Sequence, residues 1–219
     1  MKNLKPHFAL TSTISLFLFL ASCQKELSYT SGVPGVKISN QLWTLKNLDE
    51  ITYRNGDIIP HITDSVKWAG LTTGAWCYYN NDPNNNSTYG KLYNWYAVND
   101  PRGLAPEGWH IPSKDEWTSL INFLGGDAAA GGKMKATTLW NSPNTGATNE
   151  SGFTGLPGGY RTEFGNFGFM GTNGYWWFSK EHDATTAVER NLGFDYADCF
   201  MYFYDKRTGM SVRCVKNTN

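Results

Sequence analysis

One stretch of the chain carries apolar residues at helical spacing more clearly than any other. Trp117, Leu120, Ile121 and Leu124 fall at i, i+3, i+4 and i+7, on one face of a helix. Ser113 followed three residues later by Glu116 forms a capping box, in which each side chain meets a backbone N–H left free at the helix start. Pro112 biases Ile111 toward extended geometry, and Gly125-Gly126 closes the segment. The spacing predicts a helix over 114–124.

Elsewhere the pattern predicts short strands and turns. Residues 36–38 and 41–45 read as strands about a Ser39-Asn40 turn, and Asn55-Gly56-Asp57 as a tight turn. Residues 76–79 lead into an Asn-rich loop, and 89–98 read as a short helix with Leu92, Trp95 and Tyr96 leaning to one face. Residues 125–149 form a glycine- and Asn-rich connection. From 151 to 179 glycine alternates with aromatic residues, as close backbone crossings packed by rings require. Residues 189–194, 194–204 and 210–215 supply closing strands, with turn chemistry at 205–209. There is no tandem repeat and no interdomain linker, so the expectation is one domain.

The first residues form an address rather than part of that domain. Lys2 and Lys5 precede an apolar run over 8–21 and then Leu20-Ala21-Ser22-Cys23, the form of a secretory signal. Leu-Ala-Ser-Cys resembles a bacterial lipobox, which makes Cys23 the lipidated mature N-terminus. Residues 1–22 are then the signal peptide and 23–34 the lipidated N-terminus and tether, with 24–32 polar and unpatterned. Lys25-Glu26 is similar to an export tag of surface-displayed lipoproteins. The expected address is the bacterial cell envelope, as an outer-membrane lipoprotein exposed at the surface. The partner implied is a membrane, reached through lipid, since no second apolar run approaches the ~20 residues of a spanning helix.

Composition sharpens this picture in two ways. Loss of Lys2 and Lys5 without any acid takes a formal net charge of 0 to −2, and no basic stripe is present, which argues against nucleic acid as a partner. Nine Trp, 12 Tyr and 12 Phe with 23 Gly suit a loop-rich secreted fold whose core is filled by rings. Beyond Cys23 there are three cysteines, Cys77, Cys199 and Cys214, so at least one thiol is unpaired within the chain. In a symmetric hairpin Cys199 and Cys214 would sit nearly opposite each other; a glycine bulge at Gly209 would slip them by one.

Several motifs together resemble one family. They are Trp43 with Asn47-Leu48, the run 89–95, the segment 106–117 containing Trp109, His110, Ser113, Glu116 and Trp117, Gly152-Phe153 with 156–159, Trp176-Trp177-Phe178-Ser179, and Ser211-Val212-Arg213-Cys214-Val215. The chain is similar over 35–217 to the Fibrobacter succinogenes major paralogous domain of secreted bacterial proteins. That resemblance implies an α+β fold: a single C-type lectin-like domain, also like formylglycine-generating enzymes, with short antiparallel strands, one or two helices and long glycine- and aromatic-rich loops. Family members often carry a cysteine where this chain has Ala105. The resemblance therefore favours a Cys199–Cys214 disulfide and leaves Cys77 free.

The chemistry is sparse. His61, His110 and His182 have no ligand spacing, and His110 between Trp109 and Ile111 reads as a packed, hydrogen-bonded core residue. Residues 82–86 imitate a calcium loop but place Ser87 where glycine belongs and Tyr93 where the bidentate Glu belongs. No calcium–sugar motif such as Glu-Pro-Asn is present, so neither calcium nor another cofactor is expected. Gly131-Gly132-Lys133 fails as a phosphate loop because Met134 replaces Ser or Thr. No nucleophile elbow occurs. What remains is binding: Trp140, Tyr160, Phe164, Phe167 and Tyr175, in the glycine-rich middle, are the candidate ligand surface, suited to stacking on sugars or anchoring a protein. The expected function is a non-catalytic, lipid-anchored binding or adhesion module for a glycan or a cell-surface protein. The alternatives are a structural envelope component and an oxidase or hydrolase of the formylglycine-enzyme type.

Overall fold

The computed structural model describes residues 27–30 and 32–217. The expected leader and lipidation site Cys23 lie outside the described residues. In chain order the elements are β1 (Leu27–Thr30), β2 (Val33–Ile38), β3 (Gln41–Thr44), α1 (Ser65–Ala69), β4 (Trp76–Cys77), α2 (Asn86–Tyr89), β5 (Leu92–Tyr93), α3 (Trp95–Val98) and β6 (Trp109–His110). They continue with α4 (Lys114–Phe123), α5 (Asp127–Met134), β7 (Gly158–Arg161), β8 (Phe167–Met170), β9 (Asn173–Glu181), β10 (Thr186–Gly193), β11 (Cys199–Asp205) and β12 (Val215–Lys216). Among the described residues these strands form two five-stranded sheets, ordered β1-β2-β3-β12-β6 and β11-β10-β9-β7-β8, and the pair β4-β5. Pairing is antiparallel except at the Gly159–Gly174 contact of β7 with β9. Strands predominate over helices, in keeping with the mixed fold expected from the sequence.

The predicted helix forms over Lys114–Phe123. Ser113 Oγ accepts from Glu116 N, and Glu116 Oε2 accepts from Ser113 N, so the capping box is complete. Trp117, Leu120, Ile121 and Leu124 enter the first hydrophobic core beside Trp43, Phe153, Trp176 and Phe178. The second core holds Tyr93, Trp95, Trp109, Tyr175, Trp177, Met210 and Val212. Strand β9 separates the two: Trp176 and Phe178 face one core, Tyr175 and Trp177 the other, following the two-residue period of a strand. This is why four consecutive aromatic residues are all buried.

Three expectations are corrected. Residues 24–32 are not wholly a tether, since Leu27–Thr30 pair with β2. Residues 89–98 are not one helix: Gly90, at φ +72° and tight against Leu48 O, ends α2, and β5 then pairs with β4 before Asn94 caps α3. Within the glycine- and Asn-rich residues 125–149, α5 forms with Gly131 and Gly132 as its contact face. A Cβ on Gly131 would collide with Asp198 O, and one on Gly132 with Gly146 O, so the glycines that weaken helix propensity permit the packing.

The third correction concerns the thiols. Cys199 and Cys214 are not bonded; both are free and buried, as is Cys77. β11 takes β10 as its hairpin partner, Cys199 opposite Leu192. After Gly209 the chain leaves β11, pairing Met210 with Tyr93, Ser211 with Trp176 and Val215 with Trp43. Cys199 therefore joins the first core, Cys214 the second, and Cys77 a third formed with Trp68, Ala75, Tyr79 and Leu92. Burial pushes all three thiols up to about 12, which keeps them protonated.

Candidate functional site

The face of the second sheet that carries Tyr175 also carries a row of rings reaching solvent. Registers fix the row: Asn191 lies opposite Tyr175 and Phe200, Glu189 opposite Trp177 and Tyr202, and Ala187 opposite Tyr204. Opposed residues of neighbouring strands share a face with Cβ atoms about 5 Å apart. Tyr160 of β7 packs edge-on against Tyr175 at 4.9 Å between centroids and stacks on Phe169 of β8 at 5.3 Å. Tyr204 closes the group at 5.9 Å from Tyr160 and 6.0 Å from Tyr175. Toward the edge strand, Phe200 packs on Tyr196 at 5.0 Å and on Tyr202 at 6.0 Å. Phe169 is 51% exposed, Tyr202 50% and Phe200 37%, while Tyr175 forms the buried floor.

Two features of this face are costly. Phe169 has φ +67°, a left-handed conformation disfavoured for a bulky side chain, although Gly168 and Gly171 flank it closely. Glu189 is fully buried, and neither of its carboxylate oxygens meets a donor in hydrogen-bonding geometry. Burial raises its pKa well above the carboxylate range, against weaker lowering from the Arg190 charge and the Tyr202 backbone. Burial likewise raises the phenols of Tyr160, Tyr175, Tyr196 and Tyr204, with nearby acids adding to it, so each stays a neutral hydrogen-bonding group.

The two sheets and both cores are spanned by one sequence model, that of the Fibrobacter succinogenes major domain, which matches residues 36–216. The chain belongs to this family. Neither a curated protein nor a solved structure matches it.

In this Fibrobacter succinogenes major domain the five ring residues expected at a ligand surface are dispersed. Tyr160 and Tyr175 come together as described. Phe167 turns to Tyr79 instead, 5.4 Å away, and Phe164 stands 65% exposed beyond β7. Trp140 is buried in the first core, its Nε1 donating to Gly155 O at 3.0 Å, and is unavailable to a ligand. Phe169, Tyr196, Phe200, Tyr202, Tyr204 and Glu189 were not singled out by sequence. The signal for three of them was present: rings at 200, 202 and 204 repeat with strand period.

The motif around Trp109 is structural, with one addition. His110 is not a fully packed core residue, since 38% of its side chain is exposed. Its Nε2 lies 2.6 Å from Glu116 Oε1 and its Nδ1 2.7 Å from Asn217 Oδ1, so the capping carboxylate also fixes the ring and the chain end. Burial pushes Glu116 up, but hydrogen bonds from Ser113 and His110 outweigh it and hold the carboxyl below its usual range. Trp117 is wholly buried beside Trp43, 4.8 Å between centroids. A cleft of about 310 Å³ near β2 is lined by Lys46, Asp49, Glu50 and Asn86 among others, and one of about 530 Å³ lies beside Gln41, Asp115 and Glu116. Among the described residues no three His, Cys, Asp or Glu side chains are grouped to hold a metal, and no helix is long and apolar enough to cross a membrane.

Proposed function

We propose that this domain is a non-catalytic, lipid-anchored binding module of the bacterial cell envelope whose aromatic face stacks on glycans. The observation that carries the reading is Phe169. It is half exposed and held at positive φ, two unfavourable choices for one residue, and both place its ring beside Tyr160 on the solvent face. Neutral phenols around flat rings suit a sugar, which offers C–H faces to rings and hydroxyls to polar tips. A C-type lectin-like fold, acylation at Cys23 and display on the outer membrane belong to the same reading. The buried, protonated thiols offer no nucleophile for chemistry of the formylglycine-enzyme type.

The test is a glycan and polysaccharide array probed with the full chain in detergent, in parallel with Tyr160→Ala and Phe169→Ala. Saturable binding that both substitutions abolish is the expected result. Binding that survives both, or turnover of a substrate lost on mutation of a pocket residue, overturns the reading.

A further inference from the structure

Glu189 is the exception among the buried charges of this protein. Among the described residues, every other buried charged side chain makes at least one hydrogen bond or ion pair, although Arg190 Nε has no partner: Arg161 is answered by the carbonyls of Ile62, Thr63 and Gly165, and Arg213 by those of Thr44 and Thr154 and the amide oxygen of Asn47. Lys135 is answered by three carbonyls, Lys91 by Asp49 O and Asn86 Oδ1, Arg190 by Asp127 and Lys206 by Glu181. Glu189 lies in the middle of β10, between Trp177 and Tyr202, directly under the aromatic face, with the Tyr202 backbone near it but no donor in hydrogen-bonding geometry at either oxygen. A buried ionisable group without a partner is a standing cost that folding alone gives no reason to keep.

The opposite charge of Arg190 acts on it, but Arg190 is paired with Asp127. Beside the phenols' effects on one another, carboxylates act on the platform: Glu163 on Tyr160, Asp195 on Tyr196, and Glu189 on Tyr175, Tyr196 and Tyr204. The basic side chains near the sheet are engaged elsewhere: Arg190 with Asp127 on the opposite face, Lys206 with Glu181 over the Trp95 ring. Ring faces are themselves electronegative and attract cations. The surface thus combines stacking area, negative ring faces and a buried acid with no direct ion-pair partner.

We infer that the aromatic face selects glycans bearing free ammonium groups, that is amino sugars without N-acylation, with Glu189 as the buried counter-charge. This rests on the glycan-binding reading above and names its ligand class. Glu189 is protonated while the face is empty; an ammonium seated on Tyr160, Tyr202 or Tyr204 favours its ionised form, so the proton passes to solvent on binding and the carboxylate attracts the cation across a low-dielectric setting. A neutral N-acetylated sugar gains ring stacking alone.

The experiment is calorimetric titration of the full chain in detergent at pH 6 with hexameric chitin oligosaccharide and with its fully deacetylated counterpart. The expected result is affinity about tenfold higher for the deacetylated oligomer, and a preference that collapses to about equality in Glu189→Gln. Glu189→Leu, which needs no hydrogen-bond partner, is the second variant should the amide fail to fold. Tyr160→Ala is expected to weaken both ligands, and Phe203→Ala, on the other face against His182, neither. Equal affinity for the two oligomers in the native protein overturns the inference while leaving glycan binding intact. A preference that persists in both Glu189 variants and disappears in Glu163→Gln assigns it to surface charge and also overturns the inference. If neither oligomer binds while other glycans do, the ligand class is wrong; if no glycan binds, the reading of the face itself falls.

Discussion

Arg213 Nε donates to Asn47 Oδ1 at 2.8 Å, joining residues 166 apart in the chain. The same oxygen accepts from Trp176 Nε1 at 2.9 Å, and the Asn47 amide donates to Tyr89 O and Ser211 Oγ. Arg213 further donates to Thr44 O at the end of β3 and to Thr154 O before β7. Its guanidinium stacks over the Phe153 ring, 4.6 Å from the centroid. Burial draws Arg213 down to about 9, which leaves it cationic at pH 7 and makes its acceptors indispensable. One amide therefore holds the first sheet, β9 and the chain's final segment in register. Asn47→Ala strands both donors in the interior and is expected to cost about 3 kcal/mol. Urea denaturation measures it, and a loss under about 1 kcal/mol would show the junction to be incidental.

Glu189 makes stability depend on pH in a particular direction. Its folded pKa lies well above the unfolded value, so the folded state holds a proton that the unfolded state releases. The contribution is fully present below the ordinary carboxyl range near 4.5, declines as pH rises above it, and is gone once pH passes the folded value. Glu189→Gln removes the titration. Thermal unfolding from pH 4 to pH 8 should show the variant's advantage over the native protein growing with pH; an advantage that shrinks would contradict a buried, unpartnered acid.

Glu116 slopes the opposite way. Its folded pKa is held below the ordinary value by Ser113 and His110, so its contribution is present above about 4.5 and lost as pH falls through the folded value. Glu116→Gln retains an acceptor for the cap but gives up the charge that meets His110 and the positive helix end. It should cost about 1 kcal/mol at pH 7 and progressively less as pH falls below about 4.5, as read by urea midpoints.

Local chemistry was legible where one segment decides its own structure. The capping box, the apolar stripe of α4 and the Ser39-Asn40 turn are settled by residues within a dozen positions of each other. What escaped was decided by distant backbone. In the sequence Gly131-Gly132 reads only as a failed phosphate loop, because nothing nearby reveals that Asp198 O and Gly146 O must pass against a helix there. The pairing of 194–204 with 210–215 looked like a hairpin because the turn at Gly209 gives no sign that the chain departs to Tyr93, Trp176 and Trp43. The site was half legible for the same reason. Tyr160 and Tyr175 were found by composition, whereas Tyr204, Phe169 and Glu189 join them only through the order β11-β10-β9-β7-β8.

The thiols test the departure from that hairpin. With Cys77, Cys199 and Cys214 free in three separate cores, a thiol-reactive chromophore should label none of them in the folded protein. In denaturant without reductant it should label all three, and Cys23 as a fourth only if that residue is not acylated. Recovery of a single thiol from the denatured chain would reinstate a disulfide.

Phe169 separates stability from binding. A bulky residue at φ +67° bears a strain on the order of 1–2 kcal/mol that glycine would not. Phe169→Ala removes the ring and keeps the strained backbone; Phe169→Gly removes both. The alanine and glycine variants should therefore lose glycan binding equally, while glycine unfolds at a higher denaturant concentration than alanine by about 1 kcal/mol. That combination would mean the left-handed backbone serves to aim a ring at Tyr160 and solvent. Equal stability of the two variants would instead mean that the surrounding turn tolerates a side chain without strain, and that the placement of Phe169 needs no functional reason.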